Sequence, residues 1–178
     1  MKPITFIFFL LFFVVFSCSK LPDSQIKGKW YVESFESEAY LYPFQSSTPT
    51  QYWHRKMVND TIYDLVIDLN TNDTIQYFKV YVEEYSFLFS NESSCTETFF
   101  AFFIEGDSIS NDWHRIENGT WESKDDHYLN FPGTTSQQGD WKITCRKHKT
   151  MELENDQFYG TPTDDSYHEV ASMTLKKQ

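Results

Sequence analysis

A chain of 178 residues with 26 acidic against 15 basic side chains carries a formal charge of −11. That is the wrong sign for a protein that grips nucleic acid by neutralising phosphates, and basic clusters such as Arg55-Lys56 and Arg146-Lys147-His148-Lys149 are short. Aromatic residues make up 19% of the sequence, a bias that favours strands.

The N-terminus reads MKPITFIFFLLFFVVFSCSK. Lys2 supplies a positive charge, and Ile4 to Phe16 is apolar apart from Thr5. The run is shorter than the roughly 20 residues that span a bilayer and suits the apolar segment of an export signal. It stops at Val15-Phe16-Ser17-Cys18. This resembles the lipobox of bacterial lipoproteins, with Phe16 and Ser17 where smaller residues are usual, as in Bacteroidetes-type lipoproteins. The resemblance implies a signal peptide over 1–17, a palmitate-type lipid on Cys18, a short tether over 18–27, and attachment to a membrane of the cell envelope, on its periplasmic or surface side. An ordinary cleaved signal with an incidental Cys18 is the alternative. Lipidation also accounts for the odd cysteine in an exported chain. Cys95 and Cys145 then remain, either to pair as a disulfide or to stay as free buried thiols.

Lys29 to Glu36 is the first expected strand. Ser37 to Asp60 breaks the periodicity with Pro43, Ser46-Ser47 and Pro49, and reads as a long loop, with a short helix possible over Tyr52 to Val58. Loops of that length are commonly lids or binding loops, so Tyr40, Tyr42, Phe44, Tyr52 and Trp53 are expected to form a lid. In TIYDLVIDL, alternation puts Tyr63, Leu65, Ile67 and Leu69 on one face and Asp64, Val66 and Asp68 on the other. NTND, residues 70–73, is a turn, followed by the strands TIQYFKVYV and EYSFLFS. The second aligns Tyr85, Phe87 and Phe89. TETFFAFFIE is apolar on both faces. Later strands are expected over Trp113–Ser123, Tyr128–Phe131, Trp141–Lys147, Thr150–Phe158 and His168–Lys176. About ten short strands at this spacing argue an all-β sandwich or antiparallel barrel.

Gly28-Lys29-Trp30 opens the first strand, and the pattern returns as Gly119-Thr120-Trp121 and Gly139-Asp140-Trp141. Glycine permits a tight entry into the strand, and an indole buried at a closed end acts as a plug. With Tyr128-Leu129-Asn130-Phe131, Trp141-Lys142-Ile143, Met151-Glu152-Leu153 and Met173-Thr174-Leu175, most of 28–176 resembles the lipocalin-like domains of Bacteroidetes-type lipoproteins. That resemblance implies an antiparallel up-and-down barrel over 28–178 of about 8–10 strands. Two family features are not evident: a Thr-Asp-Tyr element, and a late arginine stacking on the plug tryptophan, although Arg146 could approach Trp30.

The five histidines are scattered, with no HExxH and no paired Cys/His spacing. Cys145 and His148 lie three apart and face opposite sides of a strand. There is no Gly-x-Ser-x-Gly and no glycine-rich phosphate loop. No catalytic group, metal or cofactor is expected, and the protein reads as a non-enzyme. The Asn-x-Ser/Thr sequences at Asn59, Asn72, Asn91 and Asn118 read as turn chemistry. Two roles are expected to compete. One is a small hydrophobic or amphipathic ligand inside the barrel, lined by Tyr63, Leu65, Ile67, Tyr85, Phe87, Phe89, Phe100 and Phe102. The other is a tethered protein-interaction module whose barrel is simply filled, since an eight-stranded barrel is just wide enough for either.

Overall fold

The computed structural model describes residues 23–90, 93–105, 108–124, 127–131, 139–147, 149–160 and 164–178. Cys18 and the expected export signal over 1–17 lie outside the described residues, as do Asn91 and His148. One helical turn, α1 (Asp23–Ile26), leads into eleven strands. They are β1 (Gly28–Tyr42), β2 (Gln51–Val58), β3 (Thr61–Asp68), β4 (Thr74–Phe89), β5 (Ser94–Glu105), β6 (Ser108–Thr120), β7 (Glu122–Lys124), β8 (Tyr128–Phe131), β9 (Gly139–Lys147), β10 (Thr150–Tyr159) and β11 (Ser166–Lys177). All their pairings are antiparallel.

The sheet rolls up because β1 is paired on both edges. One edge runs along β11 from Trp30↔Lys177 to Tyr42↔Ser166. The other forks: Gly28–Tyr31 pair with the end of β4, and Phe35–Leu41 pair with β2. Hairpin β2–β3 is therefore a wedge inserted between the diverging halves of β1 and β4. The ring proper runs β1, β4, β5, β6–β7, β8, β9, β10, β11 and back to β1. Strands β6 and β7 are separated only by Trp121 and act as one bent stave, which pairs with β5 above the bend and with β8 below it. The result is a closed antiparallel up-and-down barrel of the lipocalin-like kind, with extra strands.

Bulges keep the apolar residues inward as the staves bend. Among them, the register shifts at Val32/Ser34 on β1 and Val82/Glu84 on β4 each reverse the alternation, the usual effect of one extra residue. On β4 this carries the buried series from Val80 and Val82 to Tyr85, Phe87 and Phe89. TIQYFKVYV and EYSFLFS are thus one strand, not two.

The closed end is built on Trp30, which is 1% exposed. Its indole Nε1–H donates to the Ile26 carbonyl at 2.5 Å. Lys177 lies over the ring, Nζ 5.3 Å from the centroid, and donates to the carbonyls of Gln25 and Lys27. Lys177 is thus a late cation over the plug, and a cation on an indole face is itself favourable. Burial, together with the nearby charge of Arg146, lowers the Lys177 pKa. Gly28 has φ +116, and a Cβ there would come within 3.0 Å of Lys177 Cε. Ile26 is fully buried, so residues 23–27, expected to be tether, belong to the fold. Trp121 and Trp141, 4% and 2% exposed, are buried as well. Trp121 packs edge-on against Phe89 at 5.5 Å and donates to the Ser90 carbonyl at 3.3 Å.

Cys95 and Cys145 are free thiols and form no disulfide. Burial pushes the Cys95 thiol up to about 12, so it is an inert core group. Residues 51–58 are strand β2 and contain no helix.

Removing the plug leaves a cavity where the walls cannot collapse, so Trp30→Ala costs about 3–5 kcal/mol. The solvent-facing Phe158→Ser changes stability by no more than about 0.5 kcal/mol. Urea unfolding followed by circular dichroism checks both.

Candidate functional site

The ladders order the barrel interior into tiers. From the plugged base upward, in-register rows across β10, β11 and β1 read Met151–Leu175–Val32, then Leu153–Met173–Phe35. The second row continues to Met57 and Ile62 on β2 and β3. All of these residues are buried. The next row is Asn155–Ala171–Ser37–Arg55–Asp64, and above it come Gln157–Glu169–Ala39–Trp53–Val66 and Tyr159–Tyr167–Leu41–Gln51–Asp68. The interior thus passes from a packed apolar base to a polar, aromatic mouth.

The base leaves little empty space. Phe87 and Phe89 are fully buried and stacked at 6.2 Å, and Tyr85 meets Phe99 edge-on at 5.2 Å. Above them a cavity of about 50 Å³ remains between Phe35, Ile62, Phe78, Phe99, Arg55 and Arg115. Ligand pockets usually hold about 300 Å³ or more, so no lipid-sized molecule fits there. Glu97 is buried beside Phe87 on the neighbouring stave and accepts from Arg115 Nη2 at 3.1 Å. This pair reads as part of the wall, because a buried carboxylate needs a hydrogen-bonded partner.

The mouth holds a chamber of about 240 Å³, about five times the base cavity though still below that usual pocket size, lined by Ser37, Ala39, Trp53, Arg55, Asp64, Tyr159, Tyr167 and Glu169. The small Ser37 and Ala39 on β1 open space between the larger side chains of β2 and β11. Arg55 donates through Nε (2.8 Å) and Nη2 (2.5 Å) to Asp64 Oδ2, and Asp64 is 4% exposed. Trp53 and Tyr167 meet edge-to-face at 6.0 Å. Burial raises the Glu169 carboxyl above its ordinary 4.5, opposed by a Ser37 hydrogen bond and by the charge of Arg55. Burial, and then the charge of Glu169, raises the neighbouring Tyr159 phenol. A larger depression of about 760 Å³ is edged by carboxylates on the outer face, Glu36, Glu38, Asp140, Glu154 and Asp156. Among the described residues no cluster of three or more His, Cys, Asp or Glu side chains is placed to hold a metal.

The expected lining residues separate into two groups. Tyr85, Phe87 and Phe89 point inward, as core. Tyr63, Leu65 and Ile67 lie on the outer face, because it is Ile62, Asp64 and Val66 that are buried on β3. The ion pair with Arg55 lets a carboxylate occupy an inner position, and that inverts the phase of the whole strand. Phe100 and Phe102 also face outward, their rings 4.8 and 6.4 Å from His114, while Phe99 and Ala101 are buried.

The lid is corrected as well. Tyr40 and Tyr42 belong to β1 and Tyr52 and Trp53 to β2, leaving only Phe44, 47% exposed, in the connecting turn. Of the expected lid only Trp53 lines the chamber. Arg55, Asp64, Tyr159, Tyr167 and Glu169 were missed by sequence reasoning. The signal that could have found them is the Arg55/Asp64 charge complement on neighbouring strands. Asn59 and Asn72 do sit at positive φ, 49° and 62°, as turn residues do.

Because the folded chain holds the Glu169 proton more tightly than the unfolded chain, the associated stability is present at acidic pH. It is lost as pH rises from the unfolded value through the raised folded one. Glu169→Gln therefore flattens stability against pH above about 4.5, measured by urea titrations from pH 4 to pH 8; Arg55, Asp64, Tyr159 and Tyr167 are the other titratable groups around the chamber. In comparisons with protein-family models, curated proteins and solved structures, no match to this chain is found.

Proposed function

We propose that this chain is a lipocalin-like lipoprotein of the bacterial cell envelope, tethered through Cys18, whose barrel mouth binds a small amphipathic molecule without catalysing its conversion. The observation that carries the reading is the tiered interior. The base is filled, so burial there serves stability, whereas the mouth keeps a walled chamber with aromatic faces and a fixed Arg55–Asp64 pair. Such a mixture of apolar wall and few oriented polar groups is what small-molecule sites present. A long acyl chain has no room, and the ligand is correspondingly small.

The second reading, an interaction module with a ligand-free barrel, draws on the outer face. There the row Phe158–His168–Tyr40–Tyr52–Ile67 crosses five strands. Phe158 is 71% exposed and stacked on His168 at 4.2 Å, and apolar surface of this kind can mark a contact site.

Benzyl alcohol titrated into the full-length, ¹⁵N-tryptophan-labelled chain shifts the Trp53 indole resonance and leaves Trp30 and Trp141 unmoved. An unmoved Trp53 favours the filled-barrel module. Cys18→Ala moves the protein from the membrane to the soluble fraction on fractionation; a variant still found with membranes overturns the lipid tether.

A further inference from the structure

The charges and ring faces around the mouth bear on what kind of molecule enters. Asp64 and Glu169 contribute two carboxylates, and Arg55 is the single guanidinium of the lining. Arg55 is already committed: both Nε and Nη2 donate to one oxygen of Asp64. Its charge is therefore largely offset before any ligand arrives. Glu169 faces the chamber across Ala39 from Trp53, as the register of β11, β1 and β2 requires. The remaining wall is aromatic, with Trp53, Tyr159 and Tyr167, and the faces of such rings carry the negative end of a quadrupole.

We propose that the chamber selects small amphipathic cations, an ammonium group on an aromatic or short alkyl body, over neutral or anionic molecules of the same shape. The inference rests on the mouth-binding reading above and names its ligand class. The ammonium sits beside the Glu169 carboxylate, and the body lies against Trp53 and Tyr167 above Ala39. Burial of Glu169 at this site disfavours its charged form more than the Ser37 hydrogen bond and the charge of Arg55 favour it, so an arriving cation adds a counter-charge where burial is the larger influence. A carboxylate-bearing ligand meets the opposite situation: the Arg55–Asp64 pair is neutral overall, and Glu169 is the acidic group of the lining outside that pair. The formal charge of −11 adds a long-range field that concentrates cations and repels anions. The volume of about 240 Å³ restricts the body to about one ring.

Three probes of one shape test this on the full-length chain labelled with ¹⁵N-tryptophan: benzylammonium, benzyl alcohol and benzoate. The Trp53 resonance is assigned with Trp53→Phe. Benzylammonium is expected to saturate the Trp53 shift at a concentration about ten-fold below benzyl alcohol, a difference worth about 1.4 kcal/mol, with benzoate weakest. In Glu169→Gln, benzylammonium falls to within about two-fold of benzyl alcohol, as the loss of one ion contact implies. Unchanged Trp30 and Trp141 resonances report that this variant is folded. If benzyl alcohol or benzoate binds at Trp53 as tightly as benzylammonium, cation selection is overturned while mouth binding stands. If the preference survives in Glu169→Gln, the role of Glu169 is overturned. If no probe moves Trp53, the mouth-binding reading falls with it.

Discussion

Everything above the base depends on how β1 is held at its first turn. Trp30 is fixed from three directions: by the Ile26 carbonyl below, by Lys177 across its face, and by the pairing of Gly28–Tyr31 with the end of β4. That pairing turns a long meander into a ring. It works because an indole can bury a large apolar area while placing its one donor on a carbonyl, so the plug itself leaves no polar atom unsatisfied. The last strand closes the arrangement, since the Lys177 ammonium caps the carbonyls of the segment leading into β1. First and last strands therefore stabilise the same few residues.

With the base closed, the fork in β1 decides what the interior can do. Below the fork, the staves face one another at close range and large apolar side chains fill the space. Above it, hairpin β2–β3 pushes β1 and β4 apart and widens the wall. The extra room is met by Arg55 and Asp64, which satisfy each other, while Ser37 and Ala39 leave the centre open. With Asp64 buried and Arg55 partly exposed, such a pair is a costly way to gain stability, since the carboxylate is taken out of water. Its geometry suits positioning better than it suits packing.

The outer face follows the same ladders with opposite chemistry. Rows that place Arg55 and Trp53 inside place His54, Tyr52 and Lys56 outside. Glu36 accepts from His54 and Lys56 there, at 3.0 Å each. Hydrogen bonds from His54 and Lys56 hold the Glu36 pKa low. These contacts are solvent-exposed and add little stability individually, but they fix which edge of the hairpin lies along β1.

Several features follow from the amino-acid order alone. Period-two alternation, turn residues at Asn59 and Asn72 and the Gly-x-Trp at Gly28 are local, and they carried the all-β class, most strand positions and the buried plug. The inward phase of Tyr85, Phe87 and Phe89 was legible because their neighbours Ser86, Leu88 and Ser90 are less bulky. The phase of β3 was not, since hydrophobicity says that Asp64 faces water, and only the arrival of Arg55 from another strand makes its burial tolerable. Phe99 to Phe103 offered no contrast between faces, so their partners on β4 and β6 decided which went inside. The aromatic segment from Tyr40 to Trp53 lacked an alternating pattern because its hairpin has two half-buried faces, and its two ends, Tyr40–Tyr42 and Gln51–Trp53, became strand through long-range pairing with β11 and β3. What a residue is next to along the chain set the local conformation; what it meets across the ladders, at separations the sequence does not display, set the chamber.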